Sequence, residues 1–173
     1  MMKTAPLTFM LVGPVGGGKT TLFKALYGRM DKVRKTQAIE FEYDGNIDSP
    51  GEFINIPRMY HAFIQISSDI DTIVYVHPSN EMEFCTPPGL LFVYPNKRHI
   101  AVISKVDLTD AQPSKVEVIL RANGFSDPIF QVSEQDKKSI SILRNFLKIH
   151  PEKQVTHIPS AHSALKAMRL AKV

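Results

Sequence analysis

The sequence predicts an α/β fold, a mostly parallel sheet of about six strands covered by helices on both faces. Three observations lead there. Short apolar runs alternate with stretches of helical periodicity. Only one pair of runs is joined by a tight hairpin-type turn, Asp44-Gly45, which adds one antiparallel edge strand. A Gly-rich loop also separates the first apolar run from the first helical stretch.

Taken in order, residues 7–12 read as a buried strand and residues 20–27 as a helix with Gly28 near its C-terminus. Residues 29–37 are polar and basic without a period, and predict a loop. Residues 38–43 alternate as a strand does, and the turn leads into its partner at 46–48. Met59, Ala62, Phe63 and Ile66 fall at helical spacing within 59–68. Residues 71–77 are a strand, and 78–88 a long loop in which Pro87-Pro88 rules out regular structure. A strand over 99–104, a helix over 114–122 closed by Asn123-Gly124, a strand over 128–133 and a helix over 140–149 complete the pattern. It breaks at Pro151, so the expected division is a domain over 1–150 and a tail over 151–173.

Composition narrows the class. With 173 residues, 43% hydrophobic and 22% charged, the chain has the balance of one globular domain. No apolar run approaches the roughly 18 residues that a membrane span needs. The single cysteine, Cys85, cannot form an internal disulfide, which points to a reducing, cytoplasmic setting. The formal charge of +4 would suit a nucleic-acid partner if it lay on one face. Instead Lys153, Lys166, Arg169 and Lys172 stand against Glu152 alone in the tail, and the body is nearly neutral. No nucleic-acid partner is indicated.

Gly13-Pro14-Val15-Gly16-Gly17-Gly18-Lys19-Thr20 matches the eight-residue phosphate-binding loop in full, and it follows a strand and opens a helix as that loop must. Its glycines let backbone N–H groups converge on an anion at a helix N-terminus. Lys19 would reach the β- and γ-phosphates, the Thr20 hydroxyl would ligate Mg²⁺, and Thr21 joins the nucleotide-binding set. The alternative is a Gly-rich turn bearing an exposed lysine. Asp48-Ser49-Pro50-Gly51 ends the third strand, where a carboxylate can steady Mg²⁺ and the Gly51 N–H can approach the γ-phosphate. By itself that motif is also a common turn. Ser104-Lys105-Val106-Asp107 approximates the Asn/Thr-Lys-x-Asp signature in which the carboxylate accepts from guanine N1–H and the exocyclic amine. Asp107 therefore favours GTP, with ATP as the alternative. Ser104 departs from the pattern, since its short hydroxyl is not an Asn amide. Ser133-Glu134 follows the last strand, where a backbone N–H can meet the base oxygen.

With these residues in view, the chain resembles the EutP/PduV family of Ras-like P-loop proteins from ethanolamine and propanediol utilisation operons. The resemblance runs over about residues 8–148 and is carried, beyond the phosphate loop, by Lys35-Thr36-Gln37-Ala38-Ile39, Asp48-Ser49-Pro50-Gly51-Glu52, Tyr60 with Ala62, and Ser104-Lys105-Val106-Asp107-Leu108. The family usually reads Asp-Thr-Pro-Gly-Glu and Thr-Lys-x-Asp, and its loop typically holds Ser-Gln-Cys where this chain holds Val15-Gly16-Gly17. The resemblance implies a Ras-like three-layer fold and association with bacterial microcompartments. In the ethanolamine branch it also implies ATP-dependent acetate kinase activity.

Three functions are compatible with these residues. The first is a switch that binds GTP with Mg²⁺ and hydrolyses it slowly. Thr36 in the loop before the second strand would complete the Mg²⁺ shell, so Lys19, Thr36 and Glu52 are the candidate catalytic residues and Thr20, Thr36 and Asp48 the candidate metal ligands. Glu52 stands where Ras-type enzymes use Gln, Val15 stands where they need Gly, and no clear internal arginine finger is present, Arg34 in the switch loop being only a weak candidate; all three argue for slow turnover. The second is phosphoryl transfer from ATP to a small carboxylate such as acetate, with residues 78–97 as a lid lined by Phe84, Pro87, Pro88 and Phe92. The third is a scaffold acting through its surface and tail. A helix over 160–173 would gather Ala161, Ala164, Leu165 and Met168 on one face, suited to docking on a microcompartment shell protein. A tail helix packed on its own domain is the plainer alternative. The six histidines show no metal-ligand spacing.

Overall fold

The computed structural model describes residues 8–28, 41–43, 45–126 and 128–149. Arg34, Thr36 and the whole tail over 151–173 lie outside the described residues.

Strand β1 is Phe9–Val12, followed by helix α1, Lys19–Tyr27. Strands β2, Phe41–Tyr43, and β3, Asn46–Asp48, form the hairpin. A four-residue helix α2, Glu52–Asn55, and a 3-10 turn at Pro57–Met59 lead into α3, Tyr60–Ser67. Then come β4, Thr72–Pro78; β5, Arg98–Ser104; α4, Pro113–Ala122; β6, Ile129–Gln131; and α5, Lys137–Phe146. The sheet order is β2-β3-β1-β4-β5-β6, with every neighbouring pair parallel except β2 with β3. This is the three-layer arrangement that the alternation of elements predicts.

Alternation along the strands builds two cores, because successive side chains leave a strand on opposite faces. Phe9 and Leu11 of β1, Val74 and Val76 of β4, and Ile100 and Val102 of β5 meet α1 and α5 through Leu22, Phe23, Leu26, Ile140 and Leu143. Met10, Val12, Ile73, Tyr75, Ala101 and Ile103 face the other way, toward Phe63 of α3 and Val116 and Leu120 of α4. Each fully buried side chain of this size contributes about 1.5–3 kcal/mol, so the central strands are fixed far more firmly than the loops at their ends.

Helix ends follow local chemistry. Gly28 takes the left-handed conformation that closes α1, and Arg144 of α5 donates to the Ala25 and Leu26 carbonyls at 2.8 Å each, satisfying groups that the helix end leaves open. Asp136 caps α5 by accepting from the Lys138 N–H at 3.0 Å, which starts that helix three residues before the periodicity over 140–149 suggests. The β4–β5 crossover has no α-helix. Residues 79–97 cross the sheet face as a loop with one 3-10 turn, Leu90–Phe92, covering it with Phe84 and Phe92.

Candidate functional site

The phosphate loop spans the turn from β1 to α1 at the carboxyl ends of the strands, where ligands meet open α/β sheets. Its backbone passes so close to β4 that a Cβ on Gly13 would sit 2.1 Å from the Val76 carbonyl oxygen, and only glycine fits. The Lys19 ammonium, 5% exposed, donates to the Gly13 and Pro14 carbonyls at 3.0 and 2.8 Å. Val15 stands out from the loop at 65% exposed.

Thr20 and Asp48, 28 residues apart in sequence, are brought into contact: the Thr20 hydroxyl donates to Asp48 Oδ2 at 2.6 Å. Pairing of β3 with β1 places Asp48 opposite Leu11, and the fully buried Ser49 secures the strand end through its N–H and hydroxyl, both bonded to the Leu11 carbonyl. The chain then presses on the phosphate loop. A Cβ on Gly51 would lie 2.5 Å from Val15 N and 2.7 Å from Val15 Cα. Glu52 is exposed at the start of α2, next to that contact.

The end of β5 is bolted to the same loop. Ser104 Oγ donates to the Gly17 carbonyl at 2.7 Å and Lys105 Nζ to the Gly16 carbonyl at 2.7 Å. Lys105 adopts φ 59, a left-handed conformation uncommon for a side-chain-bearing residue, held by Ser79 Oγ donating to its carbonyl at 2.7 Å. Beyond Lys105 opens a cleft of about 290 Å³ with Thr21, Lys105, Asp107, Glu134 and Gln135 on its walls and Leu22 and Ile140 among its apolar lining.

Ser133 does not line this cleft. It is buried behind the wall, its N–H directed to Ser139 Oγ at 3.4 Å and its hydroxyl accepting from the Gln135 N–H at 3.1 Å, while the Asp136 N–H donates to its carbonyl at 3.1 Å. Across 133–136 the Glu134 N–H alone has no bond within the described residues. Glu134 and Gln135 thus form the wall that Ser133 organises. Gln135 and Ser79 carry no motif that would single them out in the sequence.

The proposed lid residues lie elsewhere. Phe84, Pro87, Pro88 and Phe92 line a separate cleft of about 330 Å³ closed by Ala122, Asn123 and Gly124, and no phosphate-loop residue borders it. Behind it His77 stacks with Phe84, and Tyr75 meets the same ring at a tilt of 50°. His77 is fully buried, and burial lowers its pKa despite the nearby Glu81. Its Nε2 lies 2.9 Å from the Glu81 carbonyl, which can only accept, so Nε2 carries the proton and Nδ1 accepts from the Tyr75 hydroxyl at 3.3 Å. The same burial pushes the Tyr75 phenol up to about 12. Cys85 is exposed, and among the described residues no group of His, Cys, Asp or Glu is arranged to hold a metal by itself. No described helix is long and apolar enough to cross a membrane.

Comparison with known proteins identifies a family and a fold. The family model PduV-EutP, described as ethanolamine utilisation - propanediol utilisation, matches residues 7–149. The probable acetate kinase EutP of Salmonella typhimurium is 48% identical over 143 residues, which cover 83% of this chain and 90% of that protein. In fold, the chain is similar to the translation elongation factor SelB from Methanococcus maripaludis in complex with the GTP analogue GppNHp, with a TM-score of 0.62 and 20% identity. That match covers 86% of this chain and 34% of the factor, so the chain spans about a third of its length. The Arl6 BBS3 small GTPase from Trypanosoma brucei is also similar, with a TM-score of 0.59 and 14% identity over 82% of this chain and 95% of that one.

Proposed function

This chain belongs to the PduV-EutP family of ethanolamine and propanediol utilisation proteins, and from that membership we propose that it is a small Mg²⁺-dependent GTP-binding protein with slow hydrolysis. The observation that carries the reading is the joining of three separate segments. The loop over 13–20, the Asp48–Gly51 turn and the Ser104–Asp107 turn converge through the Thr20–Asp48, Gly51–Val15, Ser104–Gly17 and Lys105–Gly16 contacts.

The donor set fits magnesium. A hydroxyl and a carboxylate in contact offer two hard oxygen ligands, the number typical for an ion that keeps several waters and takes its other ligands from phosphate. Bound there, Mg²⁺ would neutralise charge on the β- and γ-phosphates. Lys19 would exchange its two carbonyl partners for phosphate oxygens, beside backbone N–H groups at the start of α1. In the cleft, Asp107 would accept from guanine N1–H and the 2-amino group, the Glu134 N–H would donate to the 6-oxo group, and the Lys105 stem would cover the base.

Slow turnover follows from two side chains. Glu52, at the start of α2 beside the Gly51–Val15 contact, would set a carboxylate near the γ-phosphate where an uncharged group would orient water better. Val15, exposed over the loop, obstructs any group approaching from outside. Lys19→Ala tests the reading, with loss of Mg²⁺–GTP binding expected and retained binding the contrary result.

The name of the Salmonella relative supports a second reading, phosphoryl transfer from ATP to acetate. The placement of Phe84, Pro87, Pro88 and Phe92 in a cleft apart from the phosphate loop does not favour them as its lid. Acetyl phosphate formed from ATP and acetate, and lost with Lys19→Ala, would establish this reading over the first.

A further inference from the structure

We infer that Glu134 is a specificity-determining residue that makes the base cleft admit 6-amino as well as 6-oxo purines, so that selectivity for GTP over ATP is shallow. The inference rests on the reading of this cleft as a purine site and concerns what its walls can tell apart.

The cleft is rich in acceptors. Asp107 and Glu134, two acidic residues, stand on its walls. The one ammonium beside them, Lys105 Nζ, is already bonded to the Gly16 carbonyl. The Gln135 side-chain amide both donates and accepts, and across 133–136 only the Glu134 N–H is without a hydrogen bond among the described residues.

A 6-oxo purine needs a donor at position 6, and the Glu134 N–H supplies one. The same residue, however, carries its carboxylate within a side chain's length of that N–H. An acceptor oxygen on the base would then lie near a negative charge, which opposes it. A 6-amino purine meets the reverse situation: its amine donates to the Glu134 carboxylate or the Gln135 carbonyl oxygen. Asp107 still favours guanine, through N1–H and the 2-amino group, so both bases are accepted with guanine ahead.

Glu134 is exposed and its side chain makes no hydrogen bond or ion pair among the described residues, so replacing it leaves the wall bonds of Ser133, Gln135 and Asp136 in place. The test measures Kd for Mg²⁺–GTP and Mg²⁺–ATP on the full chain, on Glu134→Ala and on Glu134→Gln, with Asp107→Asn as a reference for the site. One charge-assisted hydrogen bond sets the scale, so Glu134→Ala is expected to raise the GTP-to-ATP preference by roughly five-fold or more, mainly by weakening ATP. Glu134→Gln is expected to raise it too, by strengthening GTP. A preference unchanged within two-fold in both variants overturns the inference. If Asp107→Asn still shifts base preference in that case, the purine site itself stands; if it does not, that reading has failed as well.

Discussion

Replacing Ser104 with alanine isolates the link between the base-side turn and the phosphate loop. The hydroxyl donates to the Gly17 carbonyl at 2.7 Å, 87 residues away in sequence, at a position only 4% exposed. Its loss removes one buried hydrogen bond and leaves the Gly17 carbonyl without that donor, at a cost of about 1–3 kcal/mol. Gly17 lies in the segment that must hold its N–H groups inward, so much of this cost should fall on the binding-competent loop. At about 1.4 kcal/mol per tenfold, nucleotide affinity should then drop roughly 5- to 100-fold. Calorimetric titration of Mg²⁺–GTP, beside urea unfolding of the free protein, separates the two effects. Ser104→Thr keeps the donor and should titrate close to wild type. A Ser104→Ala protein that loses stability yet binds within two-fold of wild type would show that the bond supports the fold and not the site.

Three further outcomes follow from particular contacts. Gly51→Ala should reduce Mg²⁺–nucleotide affinity by about tenfold or more without loss of the sheet's circular dichroism, because the new methyl meets Val15 backbone atoms at 2.5 and 2.7 Å; unchanged affinity would mean that the two segments separate freely. Val15→Gly should raise unstimulated GTP hydrolysis, read as phosphate release, and a rate no higher than wild type would remove Val15 from the account of slow turnover. Burial holds the His77 pKa below its ordinary 6.5, so below about that pH the unfolded chain binds a proton that the native one resists. Stability is full above that pH and falls as pH drops through the lowered native value. His77→Gln should flatten part of this loss in unfolding measured between about pH 7 and about pH 5, leaving the share of His99, which burial shifts the same way. An unchanged slope would assign the loss to other groups.

The parts legible in the sequence are those written in local pattern. Phe9–Val12 is apolar throughout, Gly13 and Gly18 flank a Gly-rich loop between a strand and a helix, and Asp44-Gly45 marks the hairpin. What the sequence left out depends on distance. Ser104 reads as a departure from the guanine signature, yet in the fold its short hydroxyl is long enough because the end of β5 lies beside Gly17. Ser133 carries the motif position, while Glu134 and Gln135 hold the wall, since a strand-end turn sends alternate residues inward and outward. Helix α2 is too short to show a period. The aromatic residues of the β4–β5 crossover could be recognised as a loop but not assigned an end of the sheet, because nothing local tells which way an irregular segment runs.

A Mg²⁺-dependent guanine-nucleotide site at the joined segments is tested by titrating the full chain with GTP and with ATP, each with Mg²⁺ and with EDTA, alongside Lys19→Ala and Asp107→Asn. The expected result is Mg²⁺-dependent binding with GTP ahead of ATP, lost in Lys19→Ala and with the guanine advantage removed in Asp107→Asn. Equal affinity for the two nucleotides, or no binding of GTP, would contradict it.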